Sequence, residues 1–327
     1  MKYNKCMDFK VSIARGDEYK STFTALKLIE DDIVSKLEKM KPQEIFLKPN
    51  WIKFRPDWLS ITKLDTIRAI VDFFIKLGEF EFIVADATPT VFGWNGKSFL
   101  KQANYKILEK EYDNLAVLDL NDYPAREKFM AKTIDGDKPI AYYDPVLDAE
   151  FLVSIAKIKT HDTFANTLSL KNVAIGCAYW KDKIKFHAIT KVGDVRENEP
   201  DKRIWFMKVL PIINYNFYKG SKTVYPDLAV IDGVHAMEGN GPVEGTPVDL
   251  GISLASCDGL SADIAATKIM GFELSEIPYL DILKDEMNPR IEVIGEDIDQ
   301  FKYKFKPHSE YQFHKTTKEA VLKVISE

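Results

Sequence analysis

Apolar residues are spaced along this chain in two rhythms. Short, nearly unbroken apolar runs, the pattern of strands covered on both faces, occur at Asp8 to Ala14, Glu44 to Lys48, Glu81 to Ala85, Ala116 to Leu120, Phe151 to Ala156, Asp227 to Ile231 and Gly251 to Ser256. A further strand is expected near Ile291 to Ile294. Between them, apolar positions recur at helical spacing. Phe23, Leu26, Leu28, Ile29, Ile33, Val34 and Leu37 predict one long helix over Thr22 to Met40. Another runs from a Thr62 cap to Leu77, with Gly78 as its stop. Lys97 to Tyr112, Leu260 to Met270, Ser275 to Lys284 and Thr317 to Ser326 read as helices, and Asp201 to Leu210 as a helix that Pro211 interrupts.

The opening alternation of strand and helix predicts an α/β fold, a mainly parallel sheet flanked by helices. Two short strands about Asp135-Gly136, between Phe129 and Tyr143, predict an inserted β-hairpin appended to that sheet. Gly93 to Gly96 reads as a loop, Lys181 to Pro200 as polar and irregular, and Tyr215 to Tyr225 as an aromatic lid or simple packing. The 327 residues suit a single α/β domain or two closely packed lobes, about 1–125 and 126–327.

Five of the apolar runs end in polar groups: Lys48-Pro49-Asn50, Asp86 to Thr88, Lys157 to His161, Asp232 to His235, and Asp258. Carboxyl ends of adjacent parallel strands line one crevice, where open α/β sheets hold ligands. Lys48, Lys159 and Lys171 would make that crevice cationic, with Asn50, Thr160 and Asn172 as neutral partners. A desolvated lysine, Lys159 first among them, would serve as a base or an imine-forming amine. The plain alternative is a solvated strand-end lysine, or one paired to Asp86 or Asp232.

His161 is the candidate for proton transfer, against a hydrogen-bonded structural imidazole. His187 and His235 stand beside other strand-end loops, while His308 and His314 lie in a polar tail. Asp86 or Asp232 would orient a base, and Asp86, His161, Asp232 and His235 are candidate ligands for a divalent metal, although no tight ligand spacing is present. Asp258 is as well placed to cap the helix after it, and Asp263 to face the crevice or that helix's start. Glu238-Gly239-Asn240-Gly241 opens the most glycine-dense loop, a ligand flap or a tight turn. Its third glycine comes one residue late for a dinucleotide fingerprint, and no P-loop, H-E-x-x-H or G-x-S-x-G occurs.

Composition narrows the partners. A net charge of −5 and a pI near 5.7 argue against nucleic acid. Cys6, Cys177 and Cys257 are far apart with no C-x-x-C pair, which excludes a cysteine-ligated iron–sulfur cluster within this chain and fits a reducing compartment. Cys177 reads as a buried small residue. The first residues lack the apolar core of a signal peptide and no run approaches 18 apolar residues, so a cytoplasmic protein without a membrane partner is expected.

Lys48-Pro49-Asn50, the Lys159-Thr160-His161 triplet, Lys171-Asn172 with Gly176, Asp232-Gly233 with Glu238 to Pro242 and Gly245, and Ala255 to Asp263 together resemble the domain of unknown function 362 family. The resemblance runs in order from about Lys48 to Gly271. It implies no assigned activity. Many such proteins carry an added ferredoxin-type cluster domain, which implies a link to redox metabolism, and this chain lacks the cysteine quartet. The reading is an enzyme acting on a small anionic metabolite by acid/base or metal-assisted chemistry. The alternative is a non-catalytic protein that binds a metabolite or docks a redox partner through an aromatic surface around Trp205 to Tyr218. A homo-oligomer stays open.

Overall fold

The computed structural model describes residues 8–88, 96–190, 202–311 and 316–327. Cys6, the predicted loop residues Gly93 to Asn95, residues 191–201, His314 and the side chain of Trp205 lie outside that set. Twelve strands are present among the described residues: β1 (Asp8–Arg15), β2 (Glu44–Lys48), β3 (Glu81–Asp86), β4 (Leu115–Asp119), β5 (Ala125–Ala131), β6 (Lys138–Tyr143), β7 (Leu152–Thr160), β8 (Asn166–Thr167), β9 (Leu228–Glu238), β10 (Thr246–Val248), β11 (Ile252–Ser256) and β12 (Arg290–Gly295). Ten of them form one sheet with the path β12-β1-β11-β9-β7-β2-β3-β4, with β8 on β7 and β10 on β9. The sheet takes strands from both halves of the chain. Every neighbour on the path is parallel except β11, which runs against both β1 and β9. The fold is α/β with a mainly parallel sheet.

Alternation along each strand sends side chains to two helical layers. Leu47, Val84 and Val153 pack with Ile33, Ile67, Ile70 and Phe74 from helices Glu30–Met40 and Leu64–Ile75. Phe46, Ala85 and Leu152 face the opposite layer, with Leu210, Ile213 and Phe217 of helix Lys202–Thr223 and Leu280 of helix Pro278–Met287. Among the described residues, no helix is long and apolar enough to cross a membrane.

Several boundaries differ from the sequence expectation. The predicted hairpin is not appended to the main sheet, because β5 and β6 pair only with each other, as a two-stranded sheet. The long first helix is two, Glu18–Leu28 and Glu30–Met40: Ile29 leaves the helical region (φ −113°, ψ 21°) while staying buried. Lys97 to Tyr112 breaks at Asn104, whose φ is 54°, into Gly96–Ala103 and Leu108–Glu111 with one tight turn between. Thr62 does not cap the next helix. Its hydroxyl donates to the Ile155 carbonyl (3.0 Å) and accepts from the Asn50 amide (2.8 Å), tying the β2 loop to β7. Helix Lys202–Thr223 runs through Pro211, whose missing N–H is outweighed by burial of Val209, Leu210, Ile213 and Phe217 on either side. Phe217 and Tyr218 are buried, so this aromatic stretch packs.

Strands β7 and β9 continue past their apolar runs. Lys157 and Asp232 sit opposite one another in register, both at 0% exposure, with Nζ to Oδ2 2.9 Å. Thr66 donates its hydroxyl to the same carboxylate (3.2 Å), and the Val234 amide donates to Oδ1 (3.1 Å). Removing one partner strands a buried charge. Asp232→Ala is expected to cost about 3–5 kcal/mol in equilibrium denaturation, and Lys157→Met with Asp232→Leu to recover most of it. Near-equal stability of wild type and Asp232→Ala would contradict this account.

Candidate functional site

The order of strands locates the site before any side chain does. From β2 the chain steps outward to β3 and β4; from β7, the other neighbour of β2, it steps the opposite way to β9. Connections that depart in opposite directions leave a crevice at the carboxyl ends of the two strands. A cavity of about 320 Å³ opens there, reached by Asn50 after β2, Asp86 and Thr88 at the end of β3, Lys159 and His161 at the end of β7, and Lys171 and Asn172 on helix Ser169–Ala174. Three of the five predicted strand ends therefore converge.

The floor is a closed hydrogen-bond network. Lys48 is wholly buried: its Nζ lies 2.9 Å from Asp86 Oδ2 and donates to the Pro49 carbonyl (2.7 Å) and Asn172 Oδ1 (3.2 Å). All three N–H bonds of the ammonium are used. Asp86 also accepts the Trp51 amide on Oδ2 (2.8 Å) and the Ala87 amide on Oδ1 (2.7 Å). Asn172 donates to the Lys48 carbonyl and Ser154 Oγ, and accepts from Asn50 Nδ2 at 3.1 Å. Gly176 makes room for this: a Cβ there would lie 2.0 Å from the Asn172 carbonyl and 2.7 Å from Lys48 Nζ.

Lys159 differs from Lys48. Its Nζ donates to Asn50 Oδ1 and to the Ser60 carbonyl (2.8 Å), and no carboxylate pairs with it among the described residues. Burial, reinforced by the charges of Lys171, Lys157 and Lys48, drives its pKa well below the usual lysine range. Both of its hydrogen-bond acceptors are uncharged oxygens. Lys171, buried at 5% exposure, has no hydrogen-bond or ion-pair partner among the described residues; its Nζ lies 5.7 and 5.9 Å from the rings of Phe164 and Phe217. Burial lowers its pKa to about 8, with Lys183 adding to the effect.

His161 is neutral at pH 7, because burial and then the Lys171 charge push its pKa down to about 3. Its Nδ1 lies 2.7 Å from Asp162 Oδ1 and 3.1 Å from the Thr163 amide. Nδ1 is thus engaged within its own loop, by the Asp162 carboxylate and by the Thr163 N–H that donates to it.

The other predicted residues lie elsewhere. Thr160 donates to the Gly239 carbonyl (2.8 Å), and Gly241 packs so tightly on the Thr160 carbonyl that a Cβ would come within 2.1 Å. Glu238 accepts the Lys306 amide and Gly239 donates to the Lys306 carbonyl, so this loop is a packed turn that reaches the cavity only through Pro242. Asp232 is sealed against Lys157. His235 is on the surface, between Asp249 (2.7 Å) and Glu18 (3.6 Å). Asp258, after the reversed β11, sits at the opposite end of the sheet and caps helix Gly259–Met270 through the Ser261 amide. Asp263 is buried, accepts the Ser169 and Leu170 amides, and is raised by burial to about 8. Cys177 is buried and its thiol is pushed up to about 12. Among the described residues, no three His, Cys, Asp or Glu side chains gather as metal ligands.

Sequence reasoning missed Lys183 and, as cavity residues, Trp51 and Trp180. Lys183 is half-buried, has no ion-pair partner among the described residues, and burial lowers its pKa. Its four-residue spacing from His187 was the available signal in a stretch read as irregular.

These features define an α/β protein with a lysine-rich cavity at the switch point of its sheet. The chain belongs to the domain of unknown function 362 family: the family profile, described as Domain of unknown function (DUF362), matches residues 45–268. A thylakoid-associated protein of Synechocystis sp. is 25% identical over 274 residues, covering 83% of this chain and 77% of that one. Among solved structures, the lactate racemase apoprotein from Thermoanaerobacterium thermosaccharolyticum matches 85% of this chain at 12% identity and a TM-score of 0.47. A structural-genomics target from Thermotoga maritima matches 68% at 11% identity and a TM-score of 0.37. The chain covers 59% and 53% of those two proteins, and likeness at these scores says nothing about function.

An unpaired buried ammonium costs stability. Below pH 8, Lys171→Met is expected to raise stability by about 1–4 kcal/mol, less the small loss of ring contacts. A lysine whose folded pKa is lowered penalises the fold only while protonated, so wild type should close this gap as pH rises from about 8 towards 10.5. Thermal denaturation of both proteins across pH 6 to 10 measures it; a variant less stable at pH 7 would contradict the assignment.

Proposed function

We propose that this protein is an enzyme acting on a small anionic metabolite bound in the switch-point cavity. The observation that carries the reading is Lys171, a buried ammonium with no polar partner among the described residues, in a cavity that also holds Lys159 and Lys183. Such a group is stabilised when an anion arrives. In this reading Lys171 and Lys183 hold the anion. Lys159, whose pKa is driven down by burial and the neighbouring lysine charges, takes a proton from the carbon beside the anionic group. His161 receives or returns a proton through Nε2. The Lys48–Asp86 pair positions Asn50 and Asn172 and stays out of the chemistry, since its donors and acceptors are already committed. A binding protein without turnover is the second reading, favoured by the full engagement of Asp86.

The test has two stages. Thermal shift against a panel of small carboxylates and phosphate esters should find stabilising anions for wild type and none for Lys171→Met. Ligands that stabilise are then incubated with protein in deuterated buffer. NMR should show loss of the proton on the carbon next to the anionic group with wild type, and no loss with Lys159→Met. Binding without exchange would leave only the binding reading; no stabilising anion at millimolar concentration would sink both.

The sign of the pH dependence is set by Lys171. Only its ammonium attracts an anion, and in the empty cavity that form is lost above about pH 8. Anion affinity measured by calorimetry should therefore be flat from pH 6 to 7 and fall above pH 8. The midpoint shifts upward as the bound anion holds the proton on. Affinity that rises with pH would contradict the role of Lys171.

A further inference from the structure

We infer that the ligand is an amphipathic anion, one acidic group on a flat or bulky apolar body, rather than an inorganic ion or a short polar acid. This rests on the anion-binding reading above and narrows it. The cavity measures about 320 Å³, at the lower end of the roughly 300–1,000 Å³ typical of pockets for drug-sized ligands. A phosphate or a two-carbon acid would fill only a small part of it.

The walls give the second observation. Ile52, Ile175 and Ile184 line the cavity and are only half-buried, and Trp180, 40% exposed, lines it as well. Each unpaired cation comes from the same segment as an apolar wall: Ile175 follows Lys171 by one helical turn, and Ile184 follows Lys183 directly. An inorganic anion would answer the two ammonium groups and leave these surfaces wet. A ligand with an apolar body removes both costs, since apolar area taken from water is stabilising in proportion to its size. Thr167, which lines the cavity, has a buried Oγ1 with no hydrogen-bond partner among the described residues. It suits a single oxygen on the ligand rather than a highly polar molecule.

The probes are acetate, inorganic phosphate, 2-naphthoate and its uncharged analogue 2-naphthamide, titrated calorimetrically into the full chain at pH 7. 2-Naphthoate should bind at least about tenfold more tightly than acetate or phosphate. It should also outbind 2-naphthamide and lose about tenfold or more in Lys171→Met. Ile184→Asn should weaken 2-naphthoate and leave acetate unchanged. Acetate or phosphate binding as tightly as 2-naphthoate would overturn the amphipathic ligand and leave the anion reading standing. Equal binding of 2-naphthoate and 2-naphthamide, unaffected by Lys171→Met, would overturn both. So would the absence of binding by all four probes.

Discussion

The site depends on one buried ion pair. Lys48 and Asp86 stand at the ends of neighbouring parallel strands, 0% and 3% exposed, and their 2.9 Å contact keeps two charges below the surface. Such a pair is costly to bury and tolerable only when the remaining donors and acceptors are satisfied. Here they are, by the Pro49 carbonyl, Asn172 and the amides of Trp51 and Ala87. The pair therefore fixes the loop after β2, the loop after β3 and helix Ser169–Ala174 relative to one another. With it in place, Asn50 is held where it accepts from Lys159, and Lys171 and Lys183 stand at the cavity with no ion pair among the described residues.

Three lysines in or beside β7 and β2 show how environment separates identical side chains. Lys157 and Lys159 are two residues apart and lie on one face of β7, yet one meets Asp232 and the other meets only neutral oxygens. Lys48 has its carboxylate. The result is two lysines held in buried ion pairs that hold the fold and one whose pKa burial drives well down. Chemical reactivity is assigned by what each Nζ touches.

Much of the fold was legible because periodicity reports burial. The strands at Asp8, Glu44, Glu81 and Arg290, the turn at Asp135-Gly136 and the Asp258 cap follow from local pattern alone. The ends of β7 and β9 did not, because lysine and aspartate read as solvated ends unless their partner is known. Lys157 and Asp232 neutralise each other across 75 residues, and no window of sequence contains both. The direction of β11 was equally hidden, since side-chain alternation is the same whichever way a strand runs. That reversal moved Asp258 to the far end of the sheet; with Asp232 sealed against Lys157 and His235 at the surface, three of the five strand ends remain at the cavity. In the candidate site, Lys48, Asn50, Asp86, Lys159 and His161 were named from strand-end polarity, and Lys171 and Asn172 from the short helix that follows β7. Lys183 was lost because a short polar turn carries no periodic signal.

The place of β1 has a consequence for how the molecule comes together. It is the first strand of the chain, but its two neighbours are β11 and β12, so Ser12 pairs across to Ala255 and to Ile294. During synthesis the β11 side of its pairing, Ala255, emerges 243 residues after Ser12. Its apolar core, Val11, Ile13 and Ala14, spends that interval with both edges open, the condition in which strands join the wrong partner. Contacts of such long sequence separation also make folding slow. The reversed strand next to β1 opens into helix Gly259–Met270, whose Asp263 caps the helix carrying Lys171. The cationic cavity is therefore completed only late in assembly, once the last third of the chain has closed over the first strand.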